Sequence, residues 1–185
     1  MKIAFLAPRY HTNQISLVKY LLKKKNQVSF YVTRVGKSED HSSLKPSIIQ
    51  LSYISKVIKN IAKSDNLLFD YNYLIPSIKE LLKFKSLKYD VIIIREPNKL
   101  MGLIYFLWSK LIGVKIITYF QREVHKKKSF KIKDIIEKIF IKASNDQCIS
   151  PCLGNLKYKN FPTKTTYLPF CLPVNTPKKK WYLNN

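Results

Sequence analysis

Six short apolar runs recur along the chain: KIAFLAP (2–8), QVSFYVTR (27–34), DVIIIREP (90–97), VKIITYFQ (114–121), NDQCISP (145–151) and TTYLPF (165–170). Stretches of helical length with amphipathic spacing separate most of them. Strands that alternate with helices cannot pair as hairpins, so this rhythm predicts parallel strands with helices covering both faces. KIAFLAP is apolar at every position and reads as a central strand. DVIIIREP holds four consecutive β-branched residues and reads as another. A short third strand is expected at 47–52. The expected architecture is an α/β, three-layer α/β/α sandwich on a mostly parallel sheet of about six or seven strands.

The intervening segments specify helices. Residues 12–25 carry Ile15, Val18, Leu21 and Leu22 on one stripe and close on Lys23–Lys25, where cations suit the helix dipole. Residues 53–63 and 75–87 predict two more helices, the second with Ile75, Ile78, Leu81 and Leu82 at core spacing and Lys79, Lys83 and Lys85 outward. A helix over 98–112 ends at Gly113, a left-handed cap. Residues 130–143 form a further amphipathic helix, with Ile132, Ile135, Ile136 and Ile139 on one face. The polar stretch 34–47 is expected to be a loop.

Several function classes are excluded. The four glycines, Gly36, Gly102, Gly113 and Gly154, are isolated, so neither a dinucleotide fingerprint nor a P-loop is present. Cys148, Cys152 and Cys171 have no zinc or redox spacing, and His11, His41 and His125 are scattered, so no metal site and no cofactor is expected. An odd number of cysteines, two of them in apolar surroundings, suits reduced thiols and a cytoplasmic chain. The first apolar run breaks at Arg9, unlike a secretory signal. The longest apolar stretch, LMGLIYFLW (100–108), is far short of the roughly 20 residues that span a bilayer.

The formal charge is +23, and every part of the chain contributes to the excess. A polyanion is the partner such charge would attract. The basic residues do not interleave with aromatics in any nucleic-acid motif, which argues against nucleic acid. Most of the excess is lysine, with only four arginines in 185 residues.

In an open α/β sheet, ligands bind at the carboxyl ends of the strands. Those ends read Pro8-Arg9-Tyr10-His11-Thr12-Asn13, Arg95-Glu96-Pro97-Asn98, Gln121-Arg122-Glu123 and Ser150-Pro151. Arg9, Arg95 and Arg122 all fall there, and arginine is the residue suited to bidentate contact with phosphate or carboxylate. The expected cleft residues are Arg9, Tyr10, His11, Asn13, Arg95, Glu96, Arg122 and Ser150. No nucleophile elbow is present. Glu96 and Glu123 are the only strand-end acids that could form a carboxylate pair.

The order of these pieces resembles the amino-terminal domain of GT-B glycosyltransferases, closest to the retaining family 4. The resemblance is carried by MKIAFLAPRY, a helix and QVSFYV; by DVIIIREP; by GVKIITYFQ; by IEKIFIKASNDQCISP; and by TTYLPFCLPVN. It implies a Rossmann-like domain over 1–173, then a linker or tail at 174–185 leading towards a carboxyl-terminal glycosyltransferase domain outside the chain. It further implies the acceptor-binding half of a transferase that moves sugar from a nucleotide-sugar donor to a glycan or lipid-linked acceptor, inactive without its second domain. Two departures stand out. The first loop lacks the glycine pair of many members. Gln121 occupies the catalytic position where the family carries histidine, so it can hydrogen-bond a sugar hydroxyl but cannot relay a proton. The resemblance also implies peripheral docking on the anionic inner face of a membrane, with Lys126, Lys127, Lys128 and Lys131 as the contact. A stand-alone carbohydrate- or partner-binding module without catalysis is the alternative.

Overall fold

The structure is a computed structural model that describes residues 1–10, 12–36, 41–63, 67–121, 147–156 and 165–169. Its described elements run β1 (Lys2–Ala7), α1 (Thr12–Lys23), β2 (Gln27–Val32), β3 (Ser47–Ile48), α2 (Tyr53–Ala62), α3 (Leu67–Tyr73), α4 (Ile78–Ser86), β4 (Val91–Arg95), α5 (Leu100–Leu111), β5 (Lys115–Tyr119), β6 (Gln147–Ser150), the single turn α6 (Leu153–Leu156) and β7 (Thr165–Tyr167). The seven strands form one sheet in the order β3-β2-β1-β4-β5-β6-β7. Every pairing is parallel. The helix predicted over 130–143, the domain limit at 173 and the 174–185 tail lie outside the described residues.

The two-residue period of a strand distributes the core. Ala4 and Leu6 of β1, Ile92 and Ile94 of β4 and Ile116 of β5 face one side, where Tyr71, Phe84, Met101 and Tyr105 of α3, α4 and α5 cover them. Ile3, Phe5 and Ala7 of β1, Phe30 of β2 and Ile93 of β4 face the other, against Ile15 and Val18 of α1. β1 and β4 are thus buried on both faces, as their uninterrupted apolar runs require. Each large side chain so buried contributes roughly 1.5–3 kcal/mol.

Helix α4 departs from expectation. It begins at Ile78 because the Ser77 hydroxyl caps it, accepting the Glu80 N–H at 3.2 Å. Ile75 therefore stays outside the helix, beside the short bridge between Leu51 and Pro76. The buried face is Glu80 and Phe84 with Leu81 packed alongside, while Ile78 and Leu82 are 75% and 52% exposed. The Trp108 indole donates to the Leu81 carbonyl at 3.1 Å and ties that face to α5. The third strand is only two residues long because Leu51 leaves the sheet for Pro76. Gly113 takes φ 75 after α5, the left-handed conformation its position called for.

Candidate functional site

The strand order reverses direction at β1. The chain leaves β1 for β2 on one side, and leaves β4 for β5 on the other. The turns after β1 and β4 therefore diverge and open a crevice at the carboxyl edge between them. Arg9 lies on one bank, two residues past β1, and Arg95 ends β4 on the other.

The first bank is held from beneath. The Thr33 hydroxyl donates to the Pro8 carbonyl at 2.9 Å. Tyr10 is fully buried, its ring centroid 4.6 Å from Phe30 and stacked on His41 at 5.8 Å. Tyr10 thus anchors the loop, and Arg9 beside it keeps partial exposure.

The second bank is under greater constraint. Glu96 is buried and adopts φ 51, a left-handed conformation that costs a residue with a Cβ roughly 1–3 kcal/mol. Its N–H donates to the Tyr119 carbonyl at 2.9 Å, and its carbonyl accepts the Lys99 N–H at 3.1 Å. The Tyr71 hydroxyl donates to the Arg95 carbonyl. Burial pushes the Tyr71 phenol well above its ordinary pKa, so it remains a donor. Gly102 of α5 sits directly below. A Cβ there would stand 2.8 Å from the Glu96 carbonyl oxygen and 3.0 Å from the Tyr71 hydroxyl. Only glycine lets helix, turn and tyrosine approach this closely.

These supports position a cation. Burial pulls the Arg95 pKa down, Glu96, Tyr71 and Tyr119 pull it up, and the neighbouring Arg9 charge lowers it further. Arginine stays charged in proteins regardless, so each bank of the crevice carries a cation. The Arg95 Nε is buried without a hydrogen-bond partner among the described residues, and so is the Asn98 Oδ1 three residues later. A buried donor on a cation beside a buried amide acceptor suits a ligand that pairs an anionic group with hydroxyls. Asn98 stood in the strand-end segment but was not singled out, since its burial depends on the turn that Glu96 bends.

The remaining candidates lie along the same edge. The Gln121 Nε2 donates to the Tyr119 hydroxyl at 3.0 Å. The Ser150 hydroxyl is buried, donates to the Phe120 carbonyl at 2.9 Å and accepts the Cys152 N–H at 3.2 Å, tying the ends of β5 and β6. Cys148, inside β6, is a free thiol that burial pushes up to about 11. A cavity of about 420 Å³ opens between α1 and the ends of β5 and β7, lined mainly by Gln14, Leu17, Tyr20, Tyr119 and Leu168. His11, Arg122, Lys126, Lys127, Lys128, Lys131 and the Asn13 side chain lie outside what is described. Among the described residues, no group of three or more His, Cys, Asp or Glu could hold a metal ion.

One further arginine was missed. Arg34 also follows a strand, β2, and its Nη2 lies 3.9 Å from the fully buried Asp70 carboxylate, which Lys59 binds as well. The apolar run 27–34 ends in this arginine, so its place at a strand end was readable; its partner on α3 was not.

No protein-family model matches the chain, and no curated protein matches it in sequence. Among solved structures, the crystal structure of HepE from Anabaena in complex with UDP-glucose superposes with a TM-score of 0.59 at 12% sequence identity. The match covers 95% of this chain and 45% of that one. The likeness is one of fold, and the chain spans less than half the length of the structure it matches.

Proposed function

We propose that the chain is the acceptor-binding half of a GT-B glycosyltransferase of the family 4 type, moving a sugar from a nucleotide-sugar to a glycan or lipid-linked acceptor in cell-surface polysaccharide or glycolipid synthesis. The observation that carries this reading is the fold likeness to a UDP-glucose complex, running through nearly all of this chain and under half of the other. The crevice agrees with it. Arg9 and Arg95 would neutralise an anionic group on the acceptor or a departing diphosphate, Asn98 would accept from a sugar hydroxyl, and Gln121 would face the reacting sugar. No metal or organic cofactor enters the proposal, and the donor would be held mainly by a second, carboxyl-terminal domain.

Titration calorimetry of the chain with UDP-glucose tests the division of labour. Weak or no binding is expected; tight binding would place the donor site within these residues and overturn the acceptor-half assignment. Gln121 also suits the reading of a carbohydrate-binding module without chemistry, because its carboxamide has no proton to relay. Sugar transfer measured after supplying the second domain separates the two.

A further inference from the structure

The amino edge of the sheet, opposite the crevice, holds a cavity of its own. Two turns build it. α4 ends at Ser86, and Lys88 at φ 49 turns the chain into β4; α5 ends at Leu111, and Gly113 at φ 75 turns it into β5. β4 and β5 pair in register from Val91 and Lys115, so the two turns stand side by side. The space between them is about 490 Å³, lined by Lys85, Lys88 and Asp90 from the first turn and by Trp108, Ile112 and Val114 from the second.

The floor of this cavity is apolar. Trp108, Ile112 and Val114 pack against the core cluster on this face of the sheet. Tyr89, which also lines the cavity, is 5% exposed. Both aromatic residues turn their polar atoms into the protein. The Trp108 N–H donates to the Leu81 carbonyl at 3.1 Å, and the Tyr89 and Tyr31 hydroxyls pair at 2.7 Å. What the two rings offer the cavity is carbon. The rim is cationic. Lys85 and Lys88 are exposed, and neither side chain makes an ion pair or hydrogen bond among the described residues. A third ammonium, that of Lys2, stands 5.6 Å from the centre of the Tyr89 ring. Asp90 is the acid in the lining; it is exposed, and its carboxylate accepts the backbone N–H of Lys2 at 2.7 Å. It offsets one of these charges and leaves the rim positive.

We propose that this cavity binds an organic phosphate whose apolar part is a small planar ring. The ring would lie against Trp108 and Ile112, with the phosphate between Lys85 and Lys88. An ammonium meets phosphate as a point charge with no fixed fork to match, so two flexible lysines suit a phosphate dianion better than a carboxylate. Pockets of about 300–1,000 Å³ are the size in which proteins hold small organic ligands. An apolar floor under a cationic rim selects a ligand with two unlike ends over inorganic phosphate or a plain aromatic. The five residues of β4 place Arg95 roughly 16 Å away. The site is therefore separate from the crevice and does not depend on the transferase reading.

Calorimetric titration with phenyl phosphate, inorganic phosphate and phenol is the test. Phenyl phosphate should bind at least about tenfold more tightly than either of the others, since it alone meets both floor and rim. A Lys85→Gln, Lys88→Gln variant should lose about tenfold in that affinity while its melting temperature holds, because both side chains are already in water. Trp108→Leu should weaken phenyl phosphate and leave inorganic phosphate as it was. Arg95→Met should leave phenyl phosphate binding unchanged. Phenyl phosphate binding no better than inorganic phosphate overturns the proposal. So does binding that survives in the lysine variant and is lost in Arg95→Met, since the anion would then sit in the crevice.

Discussion

The two edges of the sheet carry positive charge in different ways. At the amino edge, Lys85 and Lys88 line one cavity with Asp90, whose carboxylate accepts the backbone Lys2 N–H at 2.7 Å, and Lys115 opens β5 there. The side chains there are solvated, and that cavity of about 490 Å³ reaches Trp108 and Ile112. At the carboxyl edge stand Arg9 and Arg95, both partly buried. Both edges contain a residue with a Cβ in the left-handed region, Lys88 at φ 49 and Glu96 at φ 51. Lys88 follows a helix, where that conformation is ordinary punctuation. Glu96 follows a strand, is buried, and aims the groups on either side of it. Neither charge count nor cavity size separates the edges; residue type, burial and backbone strain do.

The sharpest way to break the comparison is to fill the space under the Glu96 turn. Gly102→Val should cost about 3 kcal/mol in thermal or urea unfolding, because two of the three atoms in its way are backbone; a variant as stable as the parent would mean that the turn is not clamped. Tyr71→Phe removes one buried hydrogen bond to Arg95 and should cost about 1–2 kcal/mol by the same measurement. Arg95→Met should weaken binding of an anionic sugar acceptor by about tenfold in calorimetry and leave the melting temperature level or higher, since a desolvated cation is lost. Lys88→Gln at the other edge should leave that affinity unchanged.

The Cys148 thiol supplies a pH-dependent check. Burial raises its folded pKa from 9.0 to about 11, so the folded state holds its proton longer than the unfolded chain. Its contribution is complete below pH 9 and is lost as pH climbs toward 11, a loss of about 2 kcal/mol absent from Cys148→Ala. Smallest of all, Lys88→Gly should gain about 0.5 kcal/mol by removing a Cβ from a left-handed position.

What could be read beforehand follows from where the information lies. β1 and β4 were legible because burial on both faces writes an unbroken apolar run. The strand-end rule then brought Arg9 and Arg95 forward without any knowledge of their surroundings. The inward face of α4 was misjudged because Ile78 and Leu82 fit a core stripe as well as Phe84 does, and only the Ser77 cap and the Trp108 contact decide the rotation. Helix α3 left no periodic signal; its anchors are Asp70 and Tyr71, polar groups whose burial rests on partners 11 to 36 residues away. Asn98 stayed unremarked because its burial depends on the left-handed turn at Glu96.

The position of β1 in the sheet also sets a schedule. β1 is complete by Ala7, yet one of its two neighbours is β4, which begins at Val91. At ribosomal rates of roughly 5–20 residues per second, the first strand waits on the order of ten seconds for that partner. Meanwhile its apolar edge has only β2 beside it, and long-range parallel pairing is intrinsically slow to close. The crevice, which needs both β1 and β4, is therefore among the late things this chain can assemble. Chaperone demand should peak while residues 33–90 are being made.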